Sequence, residues 1–222
     1  MTTAEQTQTS DSDRKPLLRG YFHLAAAVAA VVGLVALVLL ADSAEAYVGG
    51  VIFAVSLIAL YLTSATYHTI TWGRRMRAVL MRLDHSMIFV LIAGTYTPIC
   101  LIAANAAWGI AILAVVWSVA IAGIAMKIAW PGAPRWLSVG LYIGAGWIGI
   151  VAGTQITEWF AVVPLILLAA GGVLYSIGGV IYAVRRPNPW PRVFGYHEVF
   201  HLLVIAGSAL HYSVIAIYLM PA

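Results

Sequence analysis

The sequence predicts an all-α integral membrane protein, a bundle of seven transmembrane helices with a cytoplasmic amino terminus and an external carboxyl terminus. Composition, the length of the apolar stretches and the placement of charge carry this expectation. Hydrophobic residues make up 63% of the chain and charged residues 9%, against roughly half and a quarter in soluble domains. So few charges could not cover a water-facing surface. A bilayer admits only helices or closed barrels. Apolar stretches of around 20 residues suit helices crossing about 30 Å, not the short alternating strands of a barrel.

The spans are read as Tyr21–Leu40, Val48–Ile70, Leu83–Ala103, Trp108–Trp130, Leu137–Gly153, Phe160–Val184 and Tyr196–Leu219. The segment Met1–Asp13 is polar and without apolar periodicity, so a disordered tail is expected. With Arg14, Lys15 and Arg19 it makes a cytoplasmic segment over 1–19, ahead of a membrane domain over 20–222. Helix 1 ends near Ala44-Glu45-Ala46, which resembles a cleavage site. Its apolar run exceeds the 7–15 residues or so of a signal, so it is read as a span. Pro98 and Pro164 fall inside helices 3 and 6 and predict kinks. Gly49-Gly50, Gly140-x-x-x-Gly144, Gly171-Gly172 and Gly178-Gly179 predict close backbone approach. The single cysteine, Cys100, reads as a small buried hydrophobe. Helices 4, 5 and 6 carry hardly any polar residue, so the chemistry is expected on helices 2, 3 and 7.

Charge orients the threading. Arg14, Lys15 and Arg19 precede helix 1, and Arg74, Arg75, Arg77 and Arg82 surround the link between helices 2 and 3. Lys127 and Arg135 flank the next link on that side, and Arg185, Arg186 and Arg192 the last. The opposite links hold Asp42, Glu45 and Glu158 and no basic residue. The positive-inside bias places the basic side in the cytoplasm. Anionic lipid headgroups account for the net charge of +4 without a nucleic-acid partner.

Ionisable groups inside spans are costly and are functional candidates by default. His68 lies near the end of helix 2, Asp84 and His85 at the start of helix 3, and His197, Glu198 and His201 at the start of helix 7. The threading brings all of them to one membrane depth. His197 and His201 project from one helix face, as do Ser64 and His68. Three imidazoles from His68, His197 and His201 would make a metal site with an open fourth position, the arrangement of catalytic zinc. Iron, cobalt and copper tolerate the same ligands. Asp84 could orient a water or a ligating imidazole. Arg82 beside it offers a plain ion pair instead.

Other readings stand beside this one. His197-Glu198-Val199-Phe200-His201 matches H-E-x-x-H, the zinc metalloprotease pattern with Glu198 as general base. Yet Glu198 projects about 100° from His197 and could face the interfacial arginines. The three histidines could also form a hydrogen-bonded network that only holds helices together. His23, His85 and His211 read as interfacial or capping groups, with His211 too far along helix 7 to join the site. Ser64 by default bonds its own backbone.

Ser64-Ala-Thr-Tyr-His68, Arg82-Leu-Asp84-His85-Ser86-Met-Ile-Phe, Ala93-Gly-Thr-Tyr-Thr-Pro98 and His197-Glu-x-x-His201 together resemble the hemolysin III family. That family is the bacterial branch of the progestin and adiponectin receptor family. The resemblance covers the chain from helix 1 onward. It implies seven helices, an internal amino terminus and a zinc ion on His68, His197 and His201, with Asp84 orienting water and Ser64 beside it. Animal members are associated with ceramide hydrolysis, and bacterial members carry a cytolysin label or are tied to membrane lipid homeostasis. With only a short segment before helix 1, hormone recognition of the animal-receptor kind is not expected.

The leading expectation is a zinc-dependent hydrolase of a lipid amide or ester, with membrane lipids as partners. In it Asp84 handles the proton and Ser64 donates to the developing oxyanion. The alternatives are a membrane-state sensor with structural zinc, and a pore-forming cytolysin. No stripe of intramembrane charge marks a permanent aqueous path. Oligomeric state is left open.

Overall fold

The computed structural model describes residues 16–103, 106–152 and 159–221. The expected tail Met1–Asp13, with Arg14, Lys15 and Glu158, lies outside the described residues. Regular structure among the described residues is helical, with no strand beyond one isolated bridge between Trp190 and Phe194. The helices are α1 (Tyr21–Leu40), α2 (Ala44–Thr69), α3 (Arg74–Pro98), α4 (Ala106–Ala129), α5 (Arg135–Gly146), α6 (Val162–Val184) and α7 (Tyr196–Val214).

Six of the seven are long and apolar enough to cross a membrane, so the chain is a multi-pass membrane protein. The exception is α5, whose 12 residues extend only about 18 Å at 1.5 Å per residue. One 3-10 turn, Ile148–Ala152, follows it.

Successive helices pack as neighbours, and α7 returns to lie against both α6 and α1. Leu37, Phe53, Leu57, Leu60, Val204 and Ile215 form the main core between α1, α2 and α7, while Phe89, Ile112 and Val116 form a second between α3 and α4. Large apolar side chains such as Val28, Val32, Leu39, Ile110 and Ile121 stay exposed on the outside. Such a surface suits hydrocarbon as its solvent.

Several local expectations need correction. The third helix starts at Arg74 rather than Leu83, because hydropathy marks the apolar span and not the polar turns that lead into it. The helix passes through Pro98 into a π-helical segment, Ile99–Ala103, which accommodates the proline. Pro164 lies in the first turn of α6, where its missing N–H removes no helical bond, so it kinks nothing.

Close packing appears where Gly49 meets Pro98, Gly171 meets His211 and Gly207 meets the Gly171 carbonyl. A side-chain carbon at Gly140 or Gly144 would meet nothing within 4 Å, so that pair is not a packing motif here. Gly20 combines a φ of +88° with an approach that would put a Cβ 2.8 Å from the His68 Cβ. Only glycine fits both demands, and it seats the start of α1 against the end of α2.

Candidate metal centre

The centre is assembled from helix ends. His68 occupies the last turn of α2, one turn beyond Ser64, and both are buried. His197 and His201 lie one turn apart at the start of α7, and both are buried, His201 to 1% exposure. One ligand atom from each of the three histidines can be chosen so that all lie within 4.8 Å of one another. The ring centroids of His68 and His197 are 4.6 Å apart, those of His197 and His201 4.5 Å, and those of His68 and His201 5.4 Å.

The fit to a metal ion rests on two observations. The Nε2 atoms of His68 and His197 face each other at 3.1 Å, close to the edge of about 3.3 Å that a tetrahedron with 2.0–2.1 Å nitrogen bonds would have. His201 Nδ1 is buried without a hydrogen-bond partner, so hydrogen bonding within the protein does not satisfy the cluster. These three buried imidazoles could bind a metal ion.

Asp84, in α3, puts Oδ2 3.8 Å from His68 Nε2. Ser64 is within hydrogen-bond reach of the Asp84 carboxylate. Asp84 thus stands beside the cluster, and no ion pair joins it to Arg82 among the described residues.

Glu198 is engaged elsewhere. It is fully buried, and its carboxylate accepts the Gly195 N–H at 2.7 Å and pairs with Arg19. The first contact caps α7 in the manner of a capping box, and the second ties down the segment before α1. The metalloprotease reading, which needs a free Glu198, loses its base.

The three remaining candidate histidines separate. His211 contacts the Leu168 carbonyl at 3.1 Å, away from the cluster as its position predicted. His85 Nε2 lies 3.3 Å from the Tyr182 hydroxyl. His23 is not an interfacial group: it is 2% exposed, and its ring stacks on His201 with centroids 3.7 Å and planes 14° apart. The correction follows from Gly20, which lets the start of α1 sink onto the ends of α2 and α7. His23 shares the basic end with the cluster in the sequence, and that depth is the signal that could have placed it there.

A cavity of about 470 Å³ opens beside the cluster. Its walls include Asp84, Ser64 and the histidines, but also Lys127, Arg135, Tyr142, Trp147, Tyr175 and Tyr182. Helices α4, α5 and α6 therefore contribute polar groups to the site region, against expectation. Tyr142, Tyr175 and Tyr182 were hidden in sequence by the apolar average of these spans, and Lys127 and Arg135 were read only as charges that orient the threading.

The family model described as Haemolysin-III related matches residues 12–212. "Hemolysin-3" of Bacillus cereus is 32% identical over 99% of this chain and 98% of its own length. "Hemolysin-3 homolog" of Bacillus subtilis (strain 168) is 36% identical over 75% of each chain. "Heptahelical transmembrane protein 5" of Arabidopsis thaliana is 28% identical over 75% of this chain and 47% of its own.

Proposed function

The chain belongs to the haemolysin-III related family, and on that premise we propose a seven-span membrane protein that hydrolyses an amide or ester bond of a membrane lipid with zinc held by His68, His197 and His201. The basic end, with the amino terminus, faces the cytoplasm, in keeping with the positive-inside bias. The span that brings the count to seven comprises α5 and the turn Ile148–Ala152; the heptahelical name of the Arabidopsis relative agrees with this count.

One observation carries the reading. Imidazoles from α2 and α7 and a carboxylate from α3 converge at the wall of a cavity large enough for an acyl chain. Zinc in such a site supplies Lewis-acid polarisation of a carbonyl and activation of water. Asp84 receives the proton of the attacking water and delivers it to the leaving group. Ser64 holds the Asp84 carboxylate in place through its hydroxyl. Burial of the centre keeps bulk water out, and the lipid chain fills the apolar part of the cavity.

The test is elemental analysis of detergent-purified protein beside the variants His68→Ala and His197→Ala, followed by lipid-hydrolysis assays. About one zinc per wild-type chain, lost in both variants together with turnover, is the expected result. Metal-free, well-folded wild type after zinc is supplied would end the hydrolase reading.

A second reading is a sensor in which zinc only fastens α2 to α7. It is favoured by the same origin of the ligands, two helix ends far apart in sequence. Metal removal would then lower the melting temperature while no lipid product ever formed.

A further inference from the structure

The basic end of the cavity holds charge that the metal centre does not use. Of the eight acidic residues in the chain, the described ones are Asp42, Glu45, Asp84 and Glu198. Arg19 takes Glu198, and Asp42 and Glu45 lie by the start of α2, the far end of that helix from His68. Asp84 is thus the one carboxylate lining the cavity among the described residues, and it contacts His68. Arg19, Arg77, Lys127 and Arg135 line the same cavity.

Two of these cations are placed as if awaiting an anion. Lys127 is 5% exposed; its ammonium meets the Ser138 hydroxyl and lies 5.8 Å from the Tyr142 ring centroid. The Arg135 guanidinium lies 5.6 Å from the Tyr182 ring centroid, and its Nη1 is buried with no hydrogen-bond partner. Among the described residues neither pairs with a carboxylate. A hydroxyl and two aromatic faces offset only part of the cost of taking such charges out of water.

These groups form one cluster. The Tyr142 hydroxyl donates to the His85 carbonyl at 3.1 Å, and the Tyr182 hydroxyl lies 3.3 Å from His85 Nε2. Tyr182 also sets its ring 5.6 Å from that of His197, so the cluster borders the metal centre without sharing its ligands. From there the cavity runs to Trp147, Tyr175 and His211. His211 is ten residues beyond His201 on α7, a rise of about 15 Å.

We propose that Lys127 and Arg135 form a subsite for the phosphate or carboxylate head of an anionic lipid, whose chain runs along the cavity toward His211. As the specificity element of a lipid hydrolase this rests on the function proposed above; as a binding site it does not. Arg135 presents paired N–H donors to an oxyanion, and Lys127 supplies a point charge. Neutral lipids would leave both cations without a counter-charge.

The test measures binding of radiolabelled dodecyl phosphate to the full chain in a nonionic detergent, with metal content read on the same samples. Dodecanol and inorganic phosphate are the competitors. Dodecyl phosphate should bind about tenfold or more tightly than either competitor, the factor expected from losing one charge-assisted contact. Lys127→Gln and Arg135→Gln should each erase the preference over dodecanol while metal content stays at the wild-type level. Lys127→Arg should retain it, which separates loss of charge from loss of fold. Selective binding by metal-free wild type would uphold the subsite while ending the hydrolase reading. Dodecanol binding as tightly as dodecyl phosphate, inorganic phosphate competing equally well, or an unaltered preference in the folded Lys127→Gln, Arg135→Gln double variant would each overturn the proposal.

Discussion

His23 lies face to face with His201, ring centroids 3.7 Å and planes 14° apart. A ligating imidazole is ordinarily held by a hydrogen bond through its second nitrogen. The His23 ring, stacked flat on His201, gives that imidazole a packing support of comparable kind. His23→Ala should therefore weaken metal binding by about 10- to 100-fold, the range for loss of an outer support. His23→Phe, which keeps a flat face, should recover most of it. Competition against a chromogenic chelator measures both, and unaltered affinity in the alanine variant would make the stack idle.

Asp84→Asn should separate binding from chemistry. The carboxylate lies near His68 but outside the three-histidine group, so zinc should remain at one equivalent. Turnover on any lipid substrate should fall about 100-fold or more, as for loss of a general base. Equal loss of metal and activity would instead make Asp84 a ligand.

Glu198→Ala should act on stability rather than on the metal. The change leaves Arg19 without its partner and uncaps the Gly195 N–H. Breaking a buried ion pair from one side costs about 3–5 kcal/mol, and the lower half of that range is expected because Arg19 is 17% exposed. The melting temperature should drop while zinc stoichiometry below the transition is unchanged. A metalloprotease base would show the reverse pattern.

Gly20→Ala should disturb the centre from outside. The new methyl meets the His68 Cβ at 2.8 Å and must adopt a φ of +88°, a backbone cost of about 1–2 kcal/mol before any clash. Both thermal stability and metal affinity should fall. Gly140→Ala, which meets nothing within 4 Å, should do neither, and the pair of melting curves is the check.

The contrast between these glycines marks what sequence conveys. Helix existence, the multi-pass class and the meeting of His68 with His197 and His201 follow from long apolar runs, charge bias and four-residue spacing, all of which are local in sequence. His23 escaped because its burial depends on Gly20 letting one helix settle onto two others, a tertiary event with no periodic signature. Lys127 escaped for a related reason. Charge bias assigns a lysine to a membrane face but does not say that it folds back beneath Tyr142. Glu198 sat in a motif that sequence could read two ways, and only the position of Arg19 decides between them.

The segment leading into α1 is bonded to the α6–α7 connection, with the Leu17 N–H on the Arg192 carbonyl at 3.1 Å and the Leu18 N–H on the Val193 carbonyl at 3.2 Å. At the far end the Asp42 N–H meets the Met220 carbonyl at 3.3 Å. The flanks of α1 and α7 thus clasp at both ends, and two of the three histidines arrive only with α7. A nascent chain therefore carries no assembled centre until α7 has emerged. Any activity housed there is withheld until then, and a product terminated before α7 lacks two of the three histidines.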